Sequence, residues 1–245
     1  MSKKNRIRLF ASAPLMTGGE YVLSENQAHY VLHVMRLKKG DEIFLFDGKN
    51  GEFKAQIDRI EKKNVVASIK EKVFDFVQTP DVWLLFAPLK KESMDDLVSK
   101  AVELGASKLV PVITEFSITS EVKEERLKMQ ITEASEQSRR QDVPTLEKPV
   151  KFADVYNLIE PERTLVYLDE TGKGEIFINA LQKIKTKTAF LVGPEGGFSQ
   201  KELDRLQQQK NALGVSLGLR ILRAETAAAA ALACFQAFCG DWKEN

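Results

Sequence analysis

Apolar positions alternate over the N-terminal part of the chain. Ile7 and Leu9 share one face of a run ending at Phe10, and Phe53, Ala55 and Ile57 share another. This period of two predicts half-buried strands. Ile43–Phe46 and Val65–Ile69 are apolar runs of strand length, and the Asp47–Gly51 turn cluster makes a hairpin of Ile43–Phe46 and the 53–57 run. Ser24 and Gln27 stand at capping-box spacing and open a short helix through Leu32 and Met35. Several short strands with turns between them predict a small β-barrel of roughly 70 residues.

From Thr79 onward the period changes. Val82–Phe86, Leu109–Ile113, Thr164–Leu168, Ala189–Val192 and Ala212–Leu217 are apolar runs of strand length. Between them lie helical faces. Met94, Leu97, Val98, Ala101 and Val102 precede Gly105 at a C′ position; Leu127, Ile131 and Ala134 line a polar helix over 121–140; Ile176, Phe177, Ala180, Leu181 and Ile184 mark another. Ser199 and Glu202 form a second capping box, and an alanine-rich helix begins near Glu225. Apolar strands alternating with helices predict an α/β domain with a mostly parallel sheet covered on both faces. The change of period divides the chain into residues 1–74 and 79–245.

Hydrophobic residues make up 43% of the chain and charged residues 29%, which excludes a disordered protein. Cys234 and Cys239 sit in an apolar helix, read as core, and cannot build a disulfide framework. With no apolar run of membrane length and no secretory h-region, the expectation is a cytoplasmic protein. The net charge of +1 hides an asymmetry: residues 1–74 carry 14 Lys/Arg against 9 Asp/Glu, the remainder 22 against 26. Lys3, Lys4, Arg6 and Arg8 form a basic arm, readable as the footprint of a polyanion or as a solvated terminus.

Two loops carry candidate chemistry. In Leu191–Ser199 a strand runs into Gly193-Pro-Glu-Gly-Gly197 and then a helix, the place where open α/β sheets bind ligands. It is not a phosphate loop, since no Gly-Lys-Ser/Thr follows, and no strand is followed by the dinucleotide fingerprint. In Ser216–Thr226, Arg220, Arg223, Glu225 and Thr226 crowd beside the apolar Ile221 and Leu222. An internal ion pair between Arg223 and Glu225 would be the plain structural account. His29 and His33 stand four apart, but no third ligand is evident and no metal is expected.

These two loops, in this order, resemble the RsmE-like family of 16S rRNA uridine N3-methyltransferases, of the SPOUT class. His29–Arg36 with Gly40-Asp41 and Phe46–Gly48 is similar to that family's PUA-like N-terminal barrel. Lys90–Asp95, Glu103–Gly105, Pro111, Glu136–Ser138, Arg140 and Val143-Pro144 extend the resemblance along nearly the whole chain. Arg139 departs from it, because relatives more usually carry Gly there.

The resemblance implies a C-terminal trefoil-knot domain and a homodimer with sites completed across the subunit interface. It implies S-adenosylmethionine (SAM) held by Leu168, by Gly193, Glu195, Gly196 and Gly197, and by Leu217, Gly218 and Leu222. Arg36 and Arg140, with the basic arm, are the implied contacts to 16S rRNA of the small ribosomal subunit. Methyl transfer is an in-line displacement, so alignment does much of the catalysis. Uridine N3 must lose a proton, which calls for a base or for a cation that stabilises the uracil anion. Arg223 is the candidate cation, Glu225 or Glu195 the candidate base or orienting group, and Thr226 a candidate partner for a uracil carbonyl. Other readings are a SPOUT enzyme acting elsewhere on rRNA or tRNA, a non-catalytic ribosome-assembly protein, and a small-molecule α/β enzyme.

Overall fold

The structure, a computed structural model, describes residues 6–61, 64–184 and 187–243. Lys3 and Lys4 of the basic arm lie outside the described residues. The chain divides into two compact units, Met1–Gln78 with Ser135–Val143, and Thr79–Ala134 with Pro144–Asn245.

The first unit holds strands β1 (Arg8–Phe10), β2 (Glu20–Val22), β3 (Glu42–Phe46), β4 (Glu52–Glu61) and β5 (Asn64–Phe74), with helix α1 (Glu25–His29). They form a sheet in the order β1-β3-β4-β5-β2, with β1 and β3 parallel and the other pairs antiparallel. Leu9, Ile43, Leu45, Ala55, Ile57, Val65 and Ala67 fill its core. The Ser24–Gln27 capping box is formed in both directions. Past His29 the helix widens into a π-helical turn, Tyr30–Val34, and Arg36 then takes φ 55°. β2 has only three residues and one buried side chain, Tyr21, too little for alternation to reveal.

The segment Ser135–Val143 joins this unit through a buried cation. Arg8 is 6% exposed and its Nε donates to Glu52 Oε2 at 2.7 Å. Its other nitrogens donate to three backbone carbonyls: Ser135 at 3.1 Å, Glu136 at 2.8 Å and Arg140 at 2.6 Å. The guanidinium also lies 4.4 Å from the centroid of Phe46. Burial pulls the Arg8 guanidinium below its usual pKa, against the charge and hydrogen bond of Glu52. Arg6 donates to the other oxygen of Glu52 and stacks 3.7 Å from the centroid of Phe44. Arg140 donates twice to Asp142. These arginines are bonded within the protein itself. Arg8 and Arg140 are structural cations turned inward, and Arg6 is half-committed to the same carboxylate. Arg36 and Arg139 are exposed, as is Arg6 despite its bond to Glu52.

Arg139 has φ 63°, in the left-handed region. A glycine there carries no Cβ penalty; an arginine does. The same backbone reversal stops the preceding helix at Gln137, short of the expected 140.

The second unit holds β6 (Val82–Phe86), α2 (Lys91–Glu103), β7 (Lys108–Ile113), α3 (Glu124–Gln137), β8 (Thr145–Leu146) and β9 (Val150–Lys151). After these come β10 (Thr164–Leu168), β11 (Glu175–Ile176), α4 (Phe177–Ala180), β12 (Thr188–Val192), α5 (Gln200–Gln207), β13 (Ala212–Ser216) and α6 (Ala224–Phe238). The sheet runs β11-β13-β10-β12-β6-β7-β8 with every pair parallel, and β9 also pairs with β7. β6 and β12 are buried along their whole length, which is why they read as unbroken apolar runs. The helix expected over 176–184 is a single turn. Its first residue, Ile176, is taken by β11, which pairs with Val215 and Ser216 of β13.

Two outcomes test this account. Glu52→Gln leaves Arg8 buried without its counter-charge and should lower unfolding free energy by about 3 kcal/mol or more, read from urea denaturation. A loss below about 1 kcal/mol would mean that the three carbonyls suffice. Arg139→Gly should raise the urea midpoint, by about 0.5–1 kcal/mol in free energy, as left-handed strain is relieved against added chain entropy.

Candidate functional site

The carboxyl ends of β10, β12 and β13 lie side by side in the sheet, and each runs into a loop. A cavity of about 500 Å³ opens among those three loops, within the usual range for small-molecule sites. Leu168–Gly172 forms one wall, Val192–Glu195 with Gly197 a second, and Val215–Ala224 a third, with Ala227 of α6 at the edge.

Each loop has a local reason for its shape. Asp169 is buried, and its Oδ1 accepts from Thr171 N at 2.8 Å and Thr171 Oγ1 at 2.6 Å, folding the first loop back on itself. The second loop turns through a hydrogen bond from Gly197 N to Pro194 O at 2.9 Å, with Gly197 at φ 71°. Its far end is pinned by the capping box of α5. Ser199 N donates to Glu202 Oε2 at 2.9 Å, and Glu202 Oε1 accepts from Glu115 N at 2.9 Å. The third loop begins where Gly218 takes φ 109° and faces open space, and it leaves Leu219 and Ile221 105% and 89% exposed. Under this wall Gly214 lies flat on the Tyr167 ring, where a Cβ would come within 2.5 Å of its oxygen.

Of the cofactor-binding residues expected from the sequence, Leu168, Gly193, Glu195, Gly197, Leu217, Gly218 and Leu222 all line the cavity. Gly196 does not; it faces Phe116. Of the four candidate catalytic residues, Arg223 and Glu195 line it and Glu225 and Thr226 do not. Helix phase is the reason. Arg223 is the N-cap of α6, and Arg223, Ala224 and Ala227 fall on one side of its first turn, which turns positions 225 and 226 away. Glu225 is 8% exposed within that turn and Thr226 faces outward. Arg223 is itself out of place in helix terms, since a cation at a helix N-terminus opposes the macrodipole and its side chain caps nothing. Asp169, Glu170, Thr171 and Arg220 also line the cavity. The first three follow β10 directly, and a strand end beside two glycine loops was the signal that could have found them.

The lining suits SAM. It offers an apolar wall from Leu168, Val192, Leu217 and Leu222 for a purine ring. It also offers carboxylates at Asp169 and Glu195 for a cationic ligand, and open backbone at Gly218. Among the described residues no group of three His, Cys, Asp or Glu could hold a metal ion.

Comparison with known proteins agrees with this geometry. The family profile of an RNA methyltransferase domain matches residues 77–236, and that of an RNA methyltransferase PUA domain matches residues 23–70. The chain is 35% identical to ribosomal RNA small subunit methyltransferase E of Rickettsia conorii, covering 92% of this chain and 93% of that one. It is 33% identical to the enzyme of that name from a Synechocystis species, covering 92% and 76%. A crystal structure of ribosomal RNA small subunit methyltransferase E from Neisseria gonorrhoeae, bound to SAM, superposes with a TM-score of 0.88 at 29% identity, covering 97% and 100%. A Legionella pneumophila protein, solved in complex with the bound cofactor SAM, gives 0.86 at 32% identity, covering 97% and 99%. Fold, site and comparisons together define an RNA methyltransferase domain accompanied by a PUA domain. The chain belongs to the ribosomal RNA small subunit methyltransferase E family.

The close approach at Gly214 gives a direct test of the cavity wall. Gly214→Ala must displace the Tyr167 ring and should destabilise the chain by about 1–3 kcal/mol, measured by chemical denaturation. An unchanged midpoint would mean that the ring can move aside freely.

Proposed function

We propose that this SAM-dependent rRNA methyltransferase acts on N3 of a specific uridine in 16S rRNA of the small ribosomal subunit. The observation that carries the proposal is the cavity where the Gly193–Gly197 and Leu217–Arg223 loops meet at the ends of parallel strands, with Arg223 on its wall. Leu168, Gly193, Glu195, Gly197, Leu217, Gly218 and Leu222 would hold SAM. When bound, SAM supplies a methyl group made electrophilic by its sulfonium. The chain's own residues then have three tasks: to align the acceptor, to stabilise the uracil anion, and to take up the N3 proton. Arg223 serves the second, its exposed guanidinium facing the negative charge that develops across the uracil carbonyls and N3. Glu195, one of three acids on the same cavity with Asp169 and Glu170, takes the proton or orients Arg223. Glu225 and Thr226, off the wall, assist from the first turn of α6. Uridine N3 is hidden in a base pair, so the target is unpaired or extruded.

The reading includes a trefoil knot in the second unit, a homodimer and a cytoplasmic enzyme. β12 lies between β6 and β10 although it follows both in the chain, an order that supports a threaded path. Leu219 and Ile221 before α6, and Phe238 and Trp242 at its far end, are exposed apolar side chains, which supports a second subunit covering part of this surface.

The test is transfer of tritium from methyl-labelled SAM to unmodified small subunits, followed by nucleoside analysis of the digested RNA. Label should appear in 3-methyluridine at one position; label in another nucleoside would overturn the target. Arg223→Ala should lower turnover by about a hundredfold or more while SAM affinity holds. Equal loss of both would make Arg223 a structural residue.

A further inference from the structure

Glu170 is the residue of the first loop that reaches the second. Its Oε1 accepts a hydrogen bond from Phe198 N at 3.2 Å. Its carboxylate also fills the space beside Gly197. A Cβ built on Gly197 would collide with Glu170 Oε1 and lie 2.7 Å from its Cδ. The root of Glu170 is fixed, because it follows the buried Asp169 inside the turn that Asp169 and Thr171 close. Asp169 N is itself tied to Val215 O at 2.8 Å, so this turn is an extension of the sheet. Besides Glu170, the loop is held by β12 before it, by the α5 capping box after it, and by the buried Phe198 ring, which packs on Phe152. Between these ends its internal tie is the turn from Pro194 to Gly197.

We propose that Glu170 is a positioning residue for this loop: its carboxylate, seated over Gly197 and bonded to Phe198 N, holds Gly193–Phe198 in the form that walls the cavity. Position 197 must be glycine for two reasons, its φ of 71° and the carboxylate in the place of a side chain. The second reason makes the two positions interdependent. A side chain at 197 expels Glu170 from its seat, so one substitution already contains the effect of the other. The proposal rests on the assignment of the cavity to SAM only for its functional consequence; the coupling of the loops is a property of the chain alone.

The experiment is a double-mutant cycle read in two ways, SAM affinity by calorimetry and amide exchange of Phe198 without SAM. Glu170→Ala should weaken SAM binding about tenfold, the loss of one hydrogen bond to a carboxylate, and speed Phe198 exchange by at least a similar factor. Glu170→Gln keeps the acceptor oxygen and should stay within about threefold of the parent in both readouts. Gly197→Ala should bind SAM more weakly than Glu170→Ala, and adding Glu170→Ala to it should change affinity by less than about twofold. Additive losses in the cycle, or unchanged Phe198 exchange in Glu170→Ala, would overturn the proposal. Loss in Glu170→Gln equal to that in Glu170→Ala would also overturn it, by showing that charge toward the ligand is what matters. If the parent fails to bind SAM, the assignment of the cavity fails, and the Phe198 exchange rates alone decide whether Glu170 holds the loop.

Discussion

The second unit depends on one buried guanidinium. Arg163, just before β10, is 2% exposed and lies 3.7 Å from the centroid of Trp83. It donates to Asp81 Oδ2 and Glu160 Oε2, each at 2.7 Å, and to the carbonyls of Asp81 and Thr188. Its own carbonyl accepts from Asn211 Nδ2, and Asn211 O accepts from Leu165 N. The amino ends of β6, β10, β12 and β13 thus meet at a single residue, the first three through its position and guanidinium and β13 through its carbonyl. Each strand is five residues long, so the loops that form the cavity begin roughly 16 Å away at the other end. In a parallel sheet, register at one end sets register at the other, so the three loops can meet only if these strands start level.

The two buried arginines show what such a clamp requires. At Arg163, burial lowers the pKa, but hydrogen bonds and charge from Asp81 and Glu160 outweigh it, and the guanidinium ends above its usual value. At Arg8, burial prevails and the value ends lower, because Glu52 is the one carboxylate bonded to it and Arg6 competes for that carboxylate. Arg8 makes up the difference with backbone carbonyls, which satisfy its protons without neutralising its charge. Its pair with Glu52 is thus the less compensated of the two, and it is buried on both sides, whereas Asp81 and Glu160 are partly exposed partners of Arg163.

Much of the fold was legible because it is written locally. Both capping boxes, the Gly105 helix stop and the fully apolar β6 and β12 need only a few neighbouring residues, and all are present. So was the second loop of the cavity, since glycines after an apolar strand are a local signal. What was not legible is settled by partners distant in sequence. Nothing near Arg8 shows that its guanidinium reaches carbonyls more than 120 residues away, so it reads as a surface charge. Arg163 sits in the polar stretch Glu160–Thr164 and likewise looks exposed. Glu225 and Thr226 were drawn into the site by proximity to Arg223, and only the phase of α6 separates them.

The cavity also owes its form to places where no side chain fits. Gly214 lets β13 lie against Tyr167, Gly174 lets the chain cross the backbone of Val215, and Gly193 rests on the Phe198 ring. At each of these a neighbour fills the volume a Cβ would need, so the loops approach one another more closely than side chains would allow. At Gly218 the opposite holds: nothing lies within 4 Å, and the glycine is there for its φ of 109°. Sequence alone does not tell what stands opposite each of these four. In the structure, three record close contact within the protein, and Gly218 records a backbone turned toward the open side of the cavity, where it can meet a ligand. Spacing alone does not separate the two kinds; what stands opposite each glycine does.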